Sequence, residues 1–255
     1  MLRPALVLLF LLSSIINAKE AAPKRVAVLS PSVLGTMKDL GIIKKVACAA
    51  EPFGEEFSGS KITSVGYYHR PNIEKIIACK PDLIIATYAG TPPDTYIKLK
   101  KMGYRIISDR PKNLDAVKDF IIELSNIFNV NSKKIVKEFN SICNKKPLLT
   151  KSFAVFVGLD PMFYAGKRTF VSSAIECAGG KNVFDGEYTR SNIENTMAKD
   201  PELVIISVDN PKIFKDYNKI TERFKRVIVI SPERISKPST RILEGIRELK
   251  PNFKD

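Results

Sequence analysis

The sequence predicts an α/β protein of two βα lobes with mainly parallel sheets, joined by a single long α-helix and holding a ligand cleft between the lobes. Three observations predict it. Short valine- and isoleucine-rich runs alternate with segments of helical spacing, the pattern of parallel strands covered by helices. One segment occurs twice: Tyr68-His-Arg70-Pro-Asn72-Ile-Glu74, running on to Ala78, Pro81, Leu83 and Ile85, matches Tyr188-Thr-Arg190-Ser-Asn192-Ile-Glu194, running on to Ala198, Pro201, Leu203 and Ile205. Every matched pair lies 120 positions apart, too long for a solenoid repeat and the size of one compact lobe. The length of 255 residues then suits two lobes of about 125 each.

Residues 1–18 stand apart in composition. Arg3 precedes an apolar run from Ala5 to Ile16, and Asn17-Ala18 precedes the charged Lys19-Glu20. A basic start, about a dozen apolar residues and a small residue at the end describe a secretory signal peptide cleaved after Ala18, too short to span a bilayer. No cysteine lies near that junction to accept a lipid anchor, so the mature protein is expected to be soluble outside the cytoplasm.

The N-terminal lobe is expected over residues 24–130. Arg25–Leu29 reads as a strand, Ser30-Pro31-Ser32 as its turn, and Val33, Met37 and Leu40 as a helical stripe ending at Gly41. Ile43–Cys48 reads as a second strand. A helix opens at Pro71 or Asn72 and runs through Cys79, followed by a strand at Pro81–Ala86 and the loop Thr87–Gly90. A helix over Pro93–Met102, a strand at Tyr104–Ser108 and a helix over Leu114–Phe128 complete the lobe. Residues 131–150 form the connecting helix: Ile135, Phe139 and Ile142 share one stripe, and Ser132 is a natural cap.

The C-terminal lobe, residues 151–255, restarts the alternation. A strand at Phe153–Val157, a loop over Gly158–Lys167 and a helix at Thr169–Ala178 stopped by Gly179-Gly180 come first. A loop to Arg190, a helix from Asn192, strands at Leu203–Ser207 and Arg226–Ile230 and a helix at Thr240–Leu249 follow. Two lobes joined by a helix hinge little, because a helix resists bending.

The formal charge is +14, and +13 once Arg3 leaves with the signal peptide. The lysine pairs are scattered, without the aromatic platform that single strands stack on, and read as solvated helix faces; no nucleic-acid partner is expected. Cys48, Cys79, Cys143 and Cys177 allow three pairings that sequence does not separate, and four buried free thiols are an equal reading.

Ligands of parallel sheets collect outside the carboxyl ends of the strands, where the loops of the doubled segment sit. With one copy per lobe, Tyr67, Tyr68, His69 and Arg70 face Tyr188 and Arg190 across a cleft, and Tyr88, Phe163 and Tyr164 also follow strands and line it. Aromatic walls with a few cations suit a large, flat, partly anionic ligand. Packing of any one tyrosine on its own lobe is an equal reading. Ser191-Asn-Ile-Glu194 fits a capping box, whereas Glu74 has Pro71 at the equivalent place; the alternative is that Glu74 and Glu194 project, one acid per lobe, toward cationic sockets on a partner.

Arg25-Val-Ala-Val-Leu-Ser-Pro-Ser, Val65-Gly-Tyr and Asn72 to Ala86 resemble the first lobe of the helical-backbone substrate-binding proteins of iron-chelate, haem and vitamin B12 importers. Phe163-Tyr-Ala-Gly-Lys-Arg-Thr-Phe170, Glu176 to Phe184, and Ser191 to Glu194 through Pro201-Glu-Leu-Val-Ile resemble their second lobe. The resemblance spans nearly all of residues 24–250. It implies a rigid receptor, expected to be a monomer, that carries a metal chelate and has no intrinsic cofactor. It also implies a periplasmic location and delivery to an inner-membrane ABC permease, with Glu74 and Glu194 at the positions of the family's docking glutamates.

Three ligands are implied. Haem-binding members resemble Gly-Tyr-x-Arg, in which the tyrosine ligates iron; Gly66-Tyr67 keeps that tyrosine, but His69 takes the usual arginine place and Arg70 follows. Cobalamin-binding members place tryptophans on the cleft walls, and this chain has none; Tyr68 and Tyr188 fall where such aromatics sit. The cysteine of their C-lobe disulfide falls at Ala178, so the resemblance implies that this bridge is absent. An anionic ferric siderophore suits Arg70, Arg168, Arg190 and the +13 charge.

A bare Zn or Mn receptor needs several histidine and carboxylate ligands, and His69 is the single histidine. A chelatase-like or tetrapyrrole-modifying enzyme on a similar frame needs an acid–base pair or metal-binding histidines. Gly166-Lys-Arg-Thr169 has Pro161 where a phosphate loop has its first glycine, and no Gly-x-Ser-x-Gly occurs. No catalytic residue is expected.

Overall fold

The computed structural model describes residues 21–54, 57, 59–87, 91–109, 111–143 and 151–253. The expected signal peptide, Tyr88 and residues 144–150 of the expected connecting helix lie outside them. In chain order the elements are β1 (Val26–Val28), α1 (Ser32–Asp39), β2 (Val46–Glu51), β3 (Thr63–Tyr67), α2 (Ile73–Ala78), β4 (Leu83–Thr87), α3 (Pro93–Lys101), β5 (Ile106–Asp109), α4 (Leu114–Ile127) and α5 (Lys133–Ile142). They continue with β6 (Lys151–Leu159), β7 (Met162–Ala165), α6 (Phe170–Ala178), β8 (Gly180–Asn182), β9 (Tyr188–Arg190), α7 (Ile193–Lys199), β10 (Leu203–Ile206), α8 (Lys215–Arg223), β11 (Val227–Val229), α9 (Pro232–Ile235) and α10 (Ile242–Leu249).

The first sheet is parallel throughout, in the order β3-β2-β1-β4-β5. Its central strands read Val-Ala-Val and Leu-Ile-Ile-Ala and are buried, as a sheet covered on both faces requires. Strand order reverses between β1 and β4, which puts a crevice at their carboxyl ends. The second sheet runs β11-β10-β6-β7-β9 with β8 beside β6; β11, β10, β6 and β8 are parallel, while β7 and β9 are antiparallel. The segment Gly158–Lys167, expected to be a loop, forms the β6–β7 hairpin. Ile43–Lys45, expected within a strand, is a 3₁₀ turn before β2.

The repeat extends further than its sequence signature. Asp82 accepts hydrogen bonds from the N–H groups of Lys24 (2.7 Å) and Arg25 (3.0 Å), and Glu202, 120 residues on, accepts from the N–H (2.7 Å) and Oγ–H (3.0 Å) of Ser152. Each lobe thus fastens the start of its first strand with the acid that follows the repeated proline. Ser152 holds the Glu202 carboxyl below the usual glutamate range, through the backbone bond first and the hydroxyl second.

Three apolar clusters bind the layers. One lies on the α2–α3 face of the first sheet, with Ala27, Leu29, Cys48, Ile76 and Leu99. Another lies on the α7–α8 face of the second sheet, with Phe156, Leu159, Val204 and Ile220. The largest joins the remaining faces of both sheets through α1, α4, α5, α6 and α10, uniting Val28 and Ile85 with Phe153 and Ile205. Polar ties cross the same region: Leu114 N–H donates to Ser173 Oγ (3.1 Å), Thr240 N–H to Thr36 Oγ1 (3.2 Å) and Thr240 Oγ1–H to Asp39 Oδ2 (2.5 Å).

Helix α5 is held on the C-terminal lobe. Cys143 at its end forms a disulfide with Cys177 of α6, Lys250 donates to Ile142 O (2.6 Å), and Arg247 pairs with Glu138. The bridge corrects the expectation drawn from Ala178: Cys177, one residue earlier, faces α5 and supplies the sulfur. Cys48 and Cys79 are free thiols, both buried. Ser132 does not cap α5; its hydroxyl pairs with Ser125 Oγ (2.9 Å), and Asn131 accepts from Lys133 N–H (2.9 Å) instead.

Candidate functional site

The N-terminal part of the site is the loop leaving β3. Gly66 has φ +88°, and a Cβ there would lie 3.3 Å from Arg70 O, so the tight return of the chain requires glycine. Backbone bonds fix the turn: Tyr68 N–H to Glu51 O (2.9 Å), Arg70 N–H to Tyr67 O (2.8 Å) and Asn72 N–H to Val65 O (2.7 Å). This fold of the loop pushes four side chains outward. Tyr67 is 55% and Tyr68 38% exposed, and His69 and Arg70 are exposed. The His69 ring lies 5.7 Å from that of Tyr67 and 5.3 Å from that of Tyr68, the latter edge-on, so the three rings form one aromatic patch.

The C-terminal part is the strand pair β7–β9. Phe163 lies opposite Arg190 and Ala165 opposite Tyr188, so Phe163, Tyr188 and Arg190 share one face of the pair. Tyr188 is 47% exposed and Arg190 exposed. Tyr164 lies on the other face, where its ring stacks on buried Phe184 at 4.0 Å and 14° and packs in the α7–α8 cluster. Its neighbours are those of a core residue. Arg168 is exposed in the turn before α6, fixed by its N–H to Gly186 O (2.8 Å), beside the Lys167–Asp185 ion pair (2.8 Å). Among the described residues no hydrogen bond, ion pair or ring contact joins the Tyr67–Arg70 set to the Phe163–Tyr188–Arg190 set.

Glu51, which the sequence did not single out, ends β2 opposite Tyr67, and its carboxylate accepts from Ser64 Oγ–H. A carboxylate at a strand end beside an exposed tyrosine has no periodicity to betray it. Among the described residues no group of three or more histidine, cysteine or acidic side chains is placed to hold a metal ion. Nor is any described helix long and apolar enough to cross a membrane.

The two glutamates are placed alike. Asn72 Oδ1 accepts from Lys75 N–H (3.0 Å) and Asn192 Oδ1 from Asn195 N–H (2.8 Å), so asparagine caps both α2 and α7. Ile73 and Ile193 turn into the apolar clusters, which leaves Glu74 and Glu194 exposed in the first helical turn. The capping box expected of Ser191 and Glu194 does not form, because the cap sits one residue later; Ser191 Oγ–H bonds Asn192 O instead. Neither carboxylate has a hydrogen bond or ion pair among the described residues. Glu194 also rims a pocket of about 260 Å³ with Asp160, Arg190, Asp216 and Lys219.

A bilobed α/β frame with exposed aromatic and cationic loops beyond its strand ends defines a ligand-binding receptor. The chain belongs to the periplasmic binding protein family, whose model matches residues 26–227. It is 29% identical over 199 residues to the vitamin B12-binding protein of Vibrio vulnificus (strain CMCP6), a match covering 74% of this chain and 73% of that protein. Its fold is similar to that of the periplasmic haem-binding protein HutB of Vibrio cholerae, with a TM-score of 0.77 at 14% identity, covering 91% of this chain and 99% of that one. The fold is also similar to that of an ABC-type Fe3+-hydroxamate transport system protein from Saccharomonospora viridis, with a TM-score of 0.74 at 18% identity, covering 92% and 94%.

Proposed function

We propose that this chain is the exported receptor of an ABC importer, which takes up cobalamin, haem or a ferric siderophore between its lobes and passes it to an inner-membrane permease. The observation that carries this reading is the repeated corner: an exposed tyrosine and arginine followed by an asparagine-capped helix with a free glutamate, once in each lobe. Tyr67, Tyr68, His69, Arg70, Phe163, Tyr188 and Arg190 contact the ligand, with Arg168 further out. The aromatic faces bind a planar or corrin-like ring, and the arginines bind its carboxylates or phosphate. Glu74 and Glu194 meet basic side chains of the permease. The protein performs no chemistry on its cargo.

Titration with haem, cobalamin and ferric siderophores, read by absorbance and calorimetry, tests the reading. Binding of one class with a Kd in the micromolar range or tighter is expected, and no binding of any class refutes it. If the cargo is haem, the Soret band shifts on binding and Tyr67→Ala abolishes the shift; an unchanged shift in that variant removes Tyr67 as the iron ligand.

A further inference from the structure

The two thiols left outside the Cys143–Cys177 bridge are neighbours. Cys48 sits in the middle of β2 with no exposed surface, and Cys79 is the C-cap of α2 with 8% exposed. Both belong to the apolar cluster between the first sheet and α2, with Ala27, Ala50, Val65 and Ile76, and they lie close enough for Cys79 to bear on the ionisation of Cys48. The Arg25 guanidinium holds the end of α2 against the sheet by donating from Nε (3.0 Å) and Nη2 (2.7 Å) to Cys79 O. Both cysteines are therefore held in one small buried cluster, one on a strand and the other on a helix end tied down by Arg25.

We propose that Cys48 and Cys79 are the site of a second disulfide, a latent bridge between β2 and the C-cap of α2. Cys79, the less buried of the two residues, attacks one sulfur of an external disulfide, a low-molecular-weight one or that of a thiol oxidase, and expels one thiolate. Cys48 then attacks the Cys79 sulfur of the mixed disulfide and expels the second. Two protein S–H bonds become one S–S bond, the oxidant is reduced to two thiols, and the two protons pass to those thiols. Burial pushes the Cys48 thiol above its usual range, with Cys79 adding to the effect. The second step is accordingly the slow one, favoured while β2 and α2 are still docking.

The bridge would enclose β3, the Tyr67–Arg70 loop and Glu74, the N-lobe part of the candidate site among the described residues. Its closure therefore pins the segment on which recognition depends at both ends, to the same sheet.

Peptide mapping of the full chain decides the matter. The reduced protein is refolded in oxidised glutathione, quenched, alkylated in denaturant and digested. A linked peptide joining Cys48 to Cys79 is expected beside the one joining Cys143 to Cys177, and Cys143→Ser with Cys177→Ser removes only the latter. Recovery of Cys48 and Cys79 on separate peptides, alkylated or capped by glutathione, while Cys143 and Cys177 are linked overturns the proposal. The map of the unmutated chain suffices if the variant fails to fold, and it does not depend on the identity of the cargo or on export.

Discussion

Replacing both Cys143 and Cys177 by alanine removes the covalent tie between α5 and α6. The two residues are 34 positions apart, and closing a loop of that size costs an unfolded chain about 12.6 cal/mol/K, or roughly 3.8 kcal/mol at 25 °C. The contacts that remain around α5, Lys250 to Ile142 O and Arg247 to Glu138, hold the native geometry in the variant, so nearly all of the loss comes from the freed unfolded chain. Urea unfolding followed by far-UV circular dichroism measures it. With a urea slope of about 3 kcal/mol/M, the midpoint falls by roughly 1.3 M. Wild type and variant, both unfolded in reductant, should give the same midpoint. A variant whose midpoint lies within about 0.3 M of oxidised wild type refutes the reasoning, because the bridge then constrains nothing that the fold has not already fixed.

Tyr68→Ala and Tyr188→Ala should each weaken binding of the cargo by about 0.5 to 1.5 kcal/mol, a factor of roughly 2 to 12, by calorimetry; unchanged affinity in both moves the site away from the two corners. Glu74→Ala and Glu194→Ala should lower uptake in cells while the purified variants bind cargo as wild type does, and a large loss of binding affinity would sink the docking role. Glu202→Gln should cost about 1 kcal/mol or less, since the carboxylate is exposed and only part of its bonding to Ser152 is lost. Because the folded carboxyl titrates below its unfolded value, its contribution is present above the unfolded pKa and fades as pH falls through the folded one. Wild type and variant should therefore differ near neutrality and converge in acid, and a difference that grows in acid would reverse that sign.

The central strands and most helices were legible because burial on both faces writes an uninterrupted apolar run into β1, β4 and β10. Strands β3, β7 and β9 and helix α8 were not. β9 is three exposed residues, Tyr-Thr-Arg, paired only with β7, and nothing local marks it as a strand. The β6–β7 hairpin reads as a loop because Gly158, Asp160 and Pro161 carry the turn signal that hides the strand after it. Helix α8, Lys-Asp-Tyr-Asn-Lys-Ile-Thr-Glu-Arg, buries only Ile220 and so lacks the stripe that announces a helix.

At the site, the doubled segment located both corners from sequence, and its meaning changed at single residues. Asn192 rather than Ser191 caps α7, which frees Glu194 and makes the two lobes alike despite Pro71 in one and Ser191 in the other. Tyr164 and Phe163 are adjacent in sequence and on opposite faces of the strand pair, a distinction that only the register with β9 reveals. The partner of Cys177 is set by how α5 packs on α10, which brings its end to α6 and which no spacing of cysteines records.

The apolar layer shared by both sheets makes the halves inseparable as folding units. A fragment ending near residue 130 would keep β1–β5 yet leave α1 and α4 without Phe170, Val171, Ile242 and Ile246, which complete their cluster. The C-terminal half covers that face, so unfolding of either half exposes the interior of the other.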